Sequence, residues 1–161
     1  MSKHPNFDAQ KDRLRYTKNT SSATQAYVAI LFNVLYFVSI YEKDVGNYFY
    51  NITIGFSVVC NLLFLLGAFL FSEGVKNYKL GYCIAFIPLG LFQLLRIISI
   101  PMDAYNYRFL FGGSITRIMD EKEFIFACVC LCFSAMACFA TAITGIRKIK
   151  TLRDYEKSLE K

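Results

Sequence analysis

At 161 residues the chain has room for one ordinary domain, yet 55% of its residues are apolar, 17% are aromatic and its mean hydropathy is +0.37, too apolar for a soluble domain of that size. The charged 19% fall mainly at the two ends and in three short breaks, which leaves long apolar blocks of the kind that cross a bilayer as helices. The net charge of +6 comes from basic residues that adjoin those blocks, so it reads as membrane orientation and argues against nucleic acid as a partner.

Residues Met1 to Ser22 form a polar arm in which Lys3, Lys11, Arg13, Arg15 and Lys18 outnumber Asp8 and Asp12. The arm is expected to be a cytoplasmic topology signal with a frayed end, its cations able to rest on anionic headgroups. The first apolar block starts only after this arm and further blocks follow it, so it reads as a signal anchor and not as a cleaved leader. The first span is predicted over 23–40 and ends at the polar turn Tyr41, Glu42, Lys43 and Asp44. The second, over 48–71, opens on Tyr48, Phe49 and Tyr50, rings suited to the headgroup zone. The loop over 72–79, with Glu73, Gly74, Lys76 and Lys79, is short enough to make the second and third spans antiparallel neighbours.

The third span, over 80–100, contains Pro88, Gln93 and Arg96, the last being the single charge inside any apolar block. It stops at Pro101, which lacks the donor for a further helical hydrogen bond. The outer loop over 101–123 is the longest, and Tyr105, Tyr107, Phe109, Leu110 and Phe111 crowd its first half. So aromatic a loop is expected to lie along the interface or dip back toward the bundle. In the fourth span, over 124–146, Ala137, Thr141 and Gly145 recur every four residues with Ser134 near the same side, a spacing that lets helix backbones approach closely. Gly81 and Ala85 form a shorter stripe of that kind on the third span. From Arg147 onward Ile149, Leu152, Tyr155 and Leu159 lie at helical spacing among charges, so the last helix is expected to run on as an amphipathic cytoplasmic tail over 147–161.

The expected fold class is therefore all-α, an integral membrane bundle of four transmembrane helices. Thirteen Lys and Arg in the arm, the second loop and the tail lie on one side, against Lys43, Arg108, Arg117 and Lys122 on the other. That asymmetry predicts cytoplasmic N- and C-termini and an external aromatic loop. The membrane expected is the plasma membrane.

Chemistry has few candidates. The lone histidine, His4, lies in the arm, and no phosphate-binding glycine loop or nucleophile elbow is present, so the chain is expected not to be an enzyme. Cys128, Cys130 and Cys132 are two residues apart, which turns successive thiols about 200° around a helix and away from any shared metal, so no metal or other cofactor is expected. Asn33, Asn61 and Ser134 fall near mid-membrane, Gln93 somewhat further out, and Arg96 about one turn inside the outer end of its helix. Gln93 and Arg96, three apart, share a face.

Three readings of this strip compete. It serves as interhelical glue while Arg96 snorkels to the outer headgroups. Alternatively Arg96 anchors an outward-facing pocket for an anionic or lipidic ligand, completed by Gln93, Tyr105 and Arg108. A coupled transport path is the third, and it lacks a carboxylate inside any of the four blocks. As function, the expectation is a non-enzymatic subunit or accessory protein of a membrane complex. It would assemble as a homo- or hetero-oligomer through the fourth helix, with Gly81, Ala85, Ser134, Ala137, Thr141 and Gly145 as packing residues. The alternative is a small carrier or receptor centred on Arg96, the lipid bilayer and an anionic lipid being the partners in view.

Overall fold

The computed structural model describes residues 18–41, 52–99, 101–102, 105 and 119–159. Four helices make up its framework: α1 (Thr20–Tyr41), α2 (Ile52–Lys76), α3 (Leu80–Ile98) and α4 (Glu121–Leu159). Each is long and apolar enough to cross a membrane, and the chain is a multi-pass membrane protein. The helices follow one another up and down in a ring, α4 packing extensively on α1 and α3, α1 on α2, and α2 only lightly on α3. The start of α1, the end of α2 and the extension of α4 meet at one end of the bundle. There the Asn19 amide N–H donates to the Lys76 carbonyl at 2.9 Å and Lys148 Nζ donates to Asn19 Oδ1 at 3.1 Å.

The ends of the helices show why the chain turns where it does. Asn19 caps α1, its Oδ1 accepting the Ser22 N–H at 3.3 Å. Helix α1 thus begins at Thr20, before the residue 23 expected from apolarity, and Asn19 and Ser22 are buried helix-end residues where a frayed arm was expected. Helix α2 runs on to Lys76, five residues past the expected end of its span, so the second loop shrinks to Asn77, Tyr78 and Lys79. Its stop is a Schellman turn: Tyr78 takes φ 57°, its N–H donates to the Val75 carbonyl at 3.1 Å, and the Lys79 N–H reaches the Gly74 carbonyl at 3.1 Å. Because the turn consumes the last carbonyls of α2, polar residues such as Ser72 and Glu73 remain helical.

Helix α4 begins at Glu121, and the Glu123 side chain reaches back to the residue before the helix. The Asp120 N–H donates to Glu123 Oε2 at 3.3 Å, and the Phe124 N–H donates to the Asp120 carbonyl at 2.9 Å. Replacing Glu123 with Ala is expected to lower stability by about 0.5–1 kcal/mol, within the range for lost caps, read as a thermal shift in detergent with Lys122→Ala as control. At 39 residues α4 is about 58 Å long, twice the roughly 30 Å hydrocarbon layer, so it leaves the membrane as one continuous helix. The first turns of its extension belong to the bundle: Ile149 is buried with Val75, Cys83 and Ala142. The arm before Lys18, the first loop with its aromatic cluster, and most of the outer loop, including Arg108, lie outside the described residues.

Buried positions form one stripe on each helix, such as Ala26, Ala29, Asn33, Tyr36 and Ile40 on α1 and Cys83, Phe86, Gly90, Gln93 and Arg96 on α3. They build two apolar clusters stacked along the bundle. One, toward the end that holds the chain termini, joins all four helices through Ala29, Phe64, Phe86 and Cys138 among others. The other contains Tyr36, Ile40, Ala127, Cys130 and Leu131, with Ile97 packed against it. It draws on α1, α4 and the end of α3 but on no described residue of α2.

Candidate functional site

Between the two apolar clusters every helix places a polar side chain at the same level: Asn33 from α1, Asn61 from α2, Gln93 and Arg96 from α3, and Ser134 from α4. All five are buried, Arg96 at 6% exposure and the other four at 0%. They are one connected network. Arg96 Nη1 donates to Asn33 Oδ1 at 2.7 Å and to Gln93 Oε1 at 2.9 Å, while Nη2 donates to Asn61 Oδ1 at 2.6 Å. Gln93 Nε2 donates to Asn33 Oδ1 at 3.0 Å and to Ser134 Oγ at 3.1 Å, and the Ser134 hydroxyl donates to the Ala29 carbonyl at 2.9 Å. One arginine thereby ties three helices together, and Gln93 adds the fourth.

The direction of Arg96 follows from helix geometry. Side chains on a helix lean toward its N-terminus, and Arg96 sits near the C-terminal end of α3, so its long stem carries the guanidinium back into the bundle. This corrects the expectation of snorkelling. Three amide oxygens already wait one turn deeper, and the head bonds to them instead of reaching outward. Aromatic faces add to its stabilisation, with the guanidinium carbon 4.6 Å from the Tyr36 ring centre and 5.8 Å from that of Phe92.

Among the described residues no carboxylate pairs with the guanidinium, and the ion pair of Lys76 with Glu73 at 3.1 Å lies at the other end of α2. Of the five N–H donors of Arg96, three are used by the amides, and the Tyr36 side chain is a further hydrogen-bonding partner of the guanidinium. Beside it a cavity of about 200 Å³ opens between α2 and α3, with Phe56, Ser57 and Cys60 on one wall and Phe92, Leu95, Arg96 and Ser99 on the other. It lies where α2, which packs only lightly on α3, contributes no described residue to the adjacent apolar cluster.

The other expected site residues divide. Gln93 and Ser134 join Arg96 in the network. Tyr105 does not: its ring stacks on Phe124 at 4.5 Å, on the side of α4. Gly145 and Thr141 are buried and Ala137 packs on the core, so the small-residue stripe of α4 is covered by helices of its own chain. A Cβ on Gly145 would stand 2.6 Å from Cys83 Sγ on α3, so the absence of a side chain sets that close approach. Ala85 is half-buried, whereas Gly81 is exposed and a Cβ there would meet nothing within 4 Å, so Gly81 takes no part in packing within the chain. The buried face of α3 runs through Cys83, Phe86 and Gly90, and Gly81 and Ala85 lie beside it. Tyr36, Phe92 and the cavity walls were not singled out by sequence; the one available signal was Tyr36 lying three residues after Asn33, on its face.

No family model, curated protein or solved structure matches the chain.

Proposed function

We propose that this membrane protein is a non-enzymatic receptor or small carrier for an anionic ligand, held at Arg96 in the cavity between α2 and α3. The observation that carries this reading is a buried guanidinium with no carboxylate partner among the described residues and a cavity at its side. A charge inside a membrane bundle is costly to keep, and a ligand anion is the group that would balance it. The neutral amides orient the arginine without cancelling its charge, which leaves the electrostatic attraction for the ligand.

Mass identification of lipids and small anions retained by the protein in mild detergent tests this. An anion bound to the wild type and lost from Arg96→Gln is the expected result; equal retention by both would sink the reading. In orientation, the proposal places both termini in the cytoplasm and the cavity in the outer half of the membrane, supported by the excess of Lys and Arg on the termini's side. Impermeant thiol reagents applied from outside should label Lys122→Cys and spare Lys79→Cys; the reverse pattern would invert the topology.

Service as a subunit of a larger complex is the second reading. It would use a face other than the small-residue seam of α4, and α2 offers Leu62, Leu66 and Phe69, all more than half exposed and on one side of the helix. A single-copy particle in mild detergent would count against it.

A further inference from the structure

We infer that the ligand is a single-chain acyl anion admitted sideways from the bilayer, its oxyanion head on the Arg96 guanidinium and its chain leaving between Phe56 and Leu95. This rests on the anion-binding reading above and adds the ligand's class and its route.

The shape of the cavity argues for it first. At about 200 Å³ it is smaller than the roughly 300–1,000 Å³ of pockets that enclose a whole ligand. It holds a compact head and the first few carbons of a chain, with the rest of the ligand outside. What lies outside is lipid, because the mouth is flanked by Phe56 at 69% exposure and Leu95 at 64%, on the flank of two membrane-spanning helices. Its volume admits the root of one chain beside the head and not the branched glycerol root of two.

Its chemistry argues the same way. The walls are apolar except for Arg96 and the hydroxyl-bearing Ser57 and Ser99, and the Ser99 hydroxyl is occupied by the Arg96 carbonyl at 2.7 Å. A guanidinium is the side chain best matched to the two oxygens of a carboxylate or phosphate. At the edge of the site the buried Tyr41 hydroxyl lies within reach of the Ser57 side chain. A head of one compact charge, a chain that prefers lipid and a mouth that opens into lipid define a fatty carboxylate, or a lysophosphatidate of the same outline.

The chain has no tryptophan, so Phe56→Trp at the mouth gives a single reporter. In lipid nanodiscs, a twelve-carbon carboxylate brominated on its chain is expected to quench that tryptophan saturably, and at least tenfold more ligand is expected to be needed in the Arg96→Gln background. Cys60→Phe, which fills the cavity from α2 without touching a partner of Arg96, is expected to abolish saturation in a protein whose amide network is intact. Laurate and lysophosphatidate should displace the probe, the ratio between them assigning the head, while acetate, dodecanol and two-chain phosphatidate should not.

Displacement by acetate as strongly as by laurate would overturn the chain's role, and displacement by phosphatidate would overturn the single-chain class, each leaving anion binding at Arg96 standing. Saturable quenching of equal strength at Leu66→Trp, on the lipid-facing side of the inner half of α2, would overturn the route. Identical titrations in the wild-type, Arg96→Gln and Cys60→Phe backgrounds would overturn the anion-binding reading itself.

Discussion

Arg96→Ala is expected to lower stability by about 2–5 kcal/mol in a denaturant titration in detergent. The substitution leaves Gln93 Oε1 and Asn61 Oδ1 without their donors, whereas Asn33 Oδ1 keeps Gln93 Nε2. A buried acceptor left alone costs roughly 1–3 kcal/mol, and interhelical bonds in lipid sit at the lower end of that range. Loss of the contact with Tyr36 adds to it, and relief of a buried charge subtracts. Arg96→Lys is expected to recover the smaller part of the loss. It keeps the charge, but one ammonium cannot span oxygens on α1, α2 and α3 as a planar fork does. A change below 1 kcal/mol in Arg96→Ala would show that the polar layer does not hold the helices together, and the three short bonds would need another explanation.

At the other end of the bundle Gly145→Leu is expected to lower stability by about 1–3 kcal/mol, the usual range for forcing added carbons into a packed seam. Cys83 Sγ, with Val75 behind it, occupies the space a side chain would need. Shortening the obstacle should relieve the conflict: the pair Gly145→Ala with Cys83→Ala is expected to be more stable than the sum of the single effects, a coupling that a double-mutant cycle reads directly. Gly81→Leu supplies the contrast, since nothing stands within 4 Å of its Cβ, and removing a glycine from a helix favours the folded chain by up to about 1 kcal/mol. Equal losses at Gly145 and Gly81 in the isolated protein would place the small-residue function elsewhere, in association between chains.

These two expectations mark the boundary between what was legible in the sequence and what was not. Residues 20–41, 52–76 and 80–98 announce their spans because a backbone in hydrocarbon has no partner but itself, so a long apolar run has few alternatives to a helix. The close seam of α4 was legible too, since glycine and alanine at four-residue spacing permit an approach that larger residues forbid. The identity of the helix on the far side of that seam was not, and it proved to be α3 of the same chain.

The buried face was hidden for a general reason. In a soluble helix the polar side marks the solvent and reveals the core by contrast; in lipid both sides are apolar, so Leu62 and Phe64 look alike although one is exposed and the other buried. Polar residues are the exception, being expensive anywhere but in the interior, and Asn33, Asn61, Gln93 and Ser134 therefore each betrayed a level in the membrane. Their convergence needed the tertiary structure, because it depends on how four helices are rotated about their axes.

By itself, the sequence determined that the chain has four segments long and apolar enough to cross a membrane and that one charge lies within them, since length, apolarity and charge are local properties. Only the tertiary structure decided that the charge turns inward, that neutral amides from two other helices meet it, and that α2 packs only lightly on α3. Those are relations between helices, set by side-chain packing across the bundle, and no single span contains the information that fixes them.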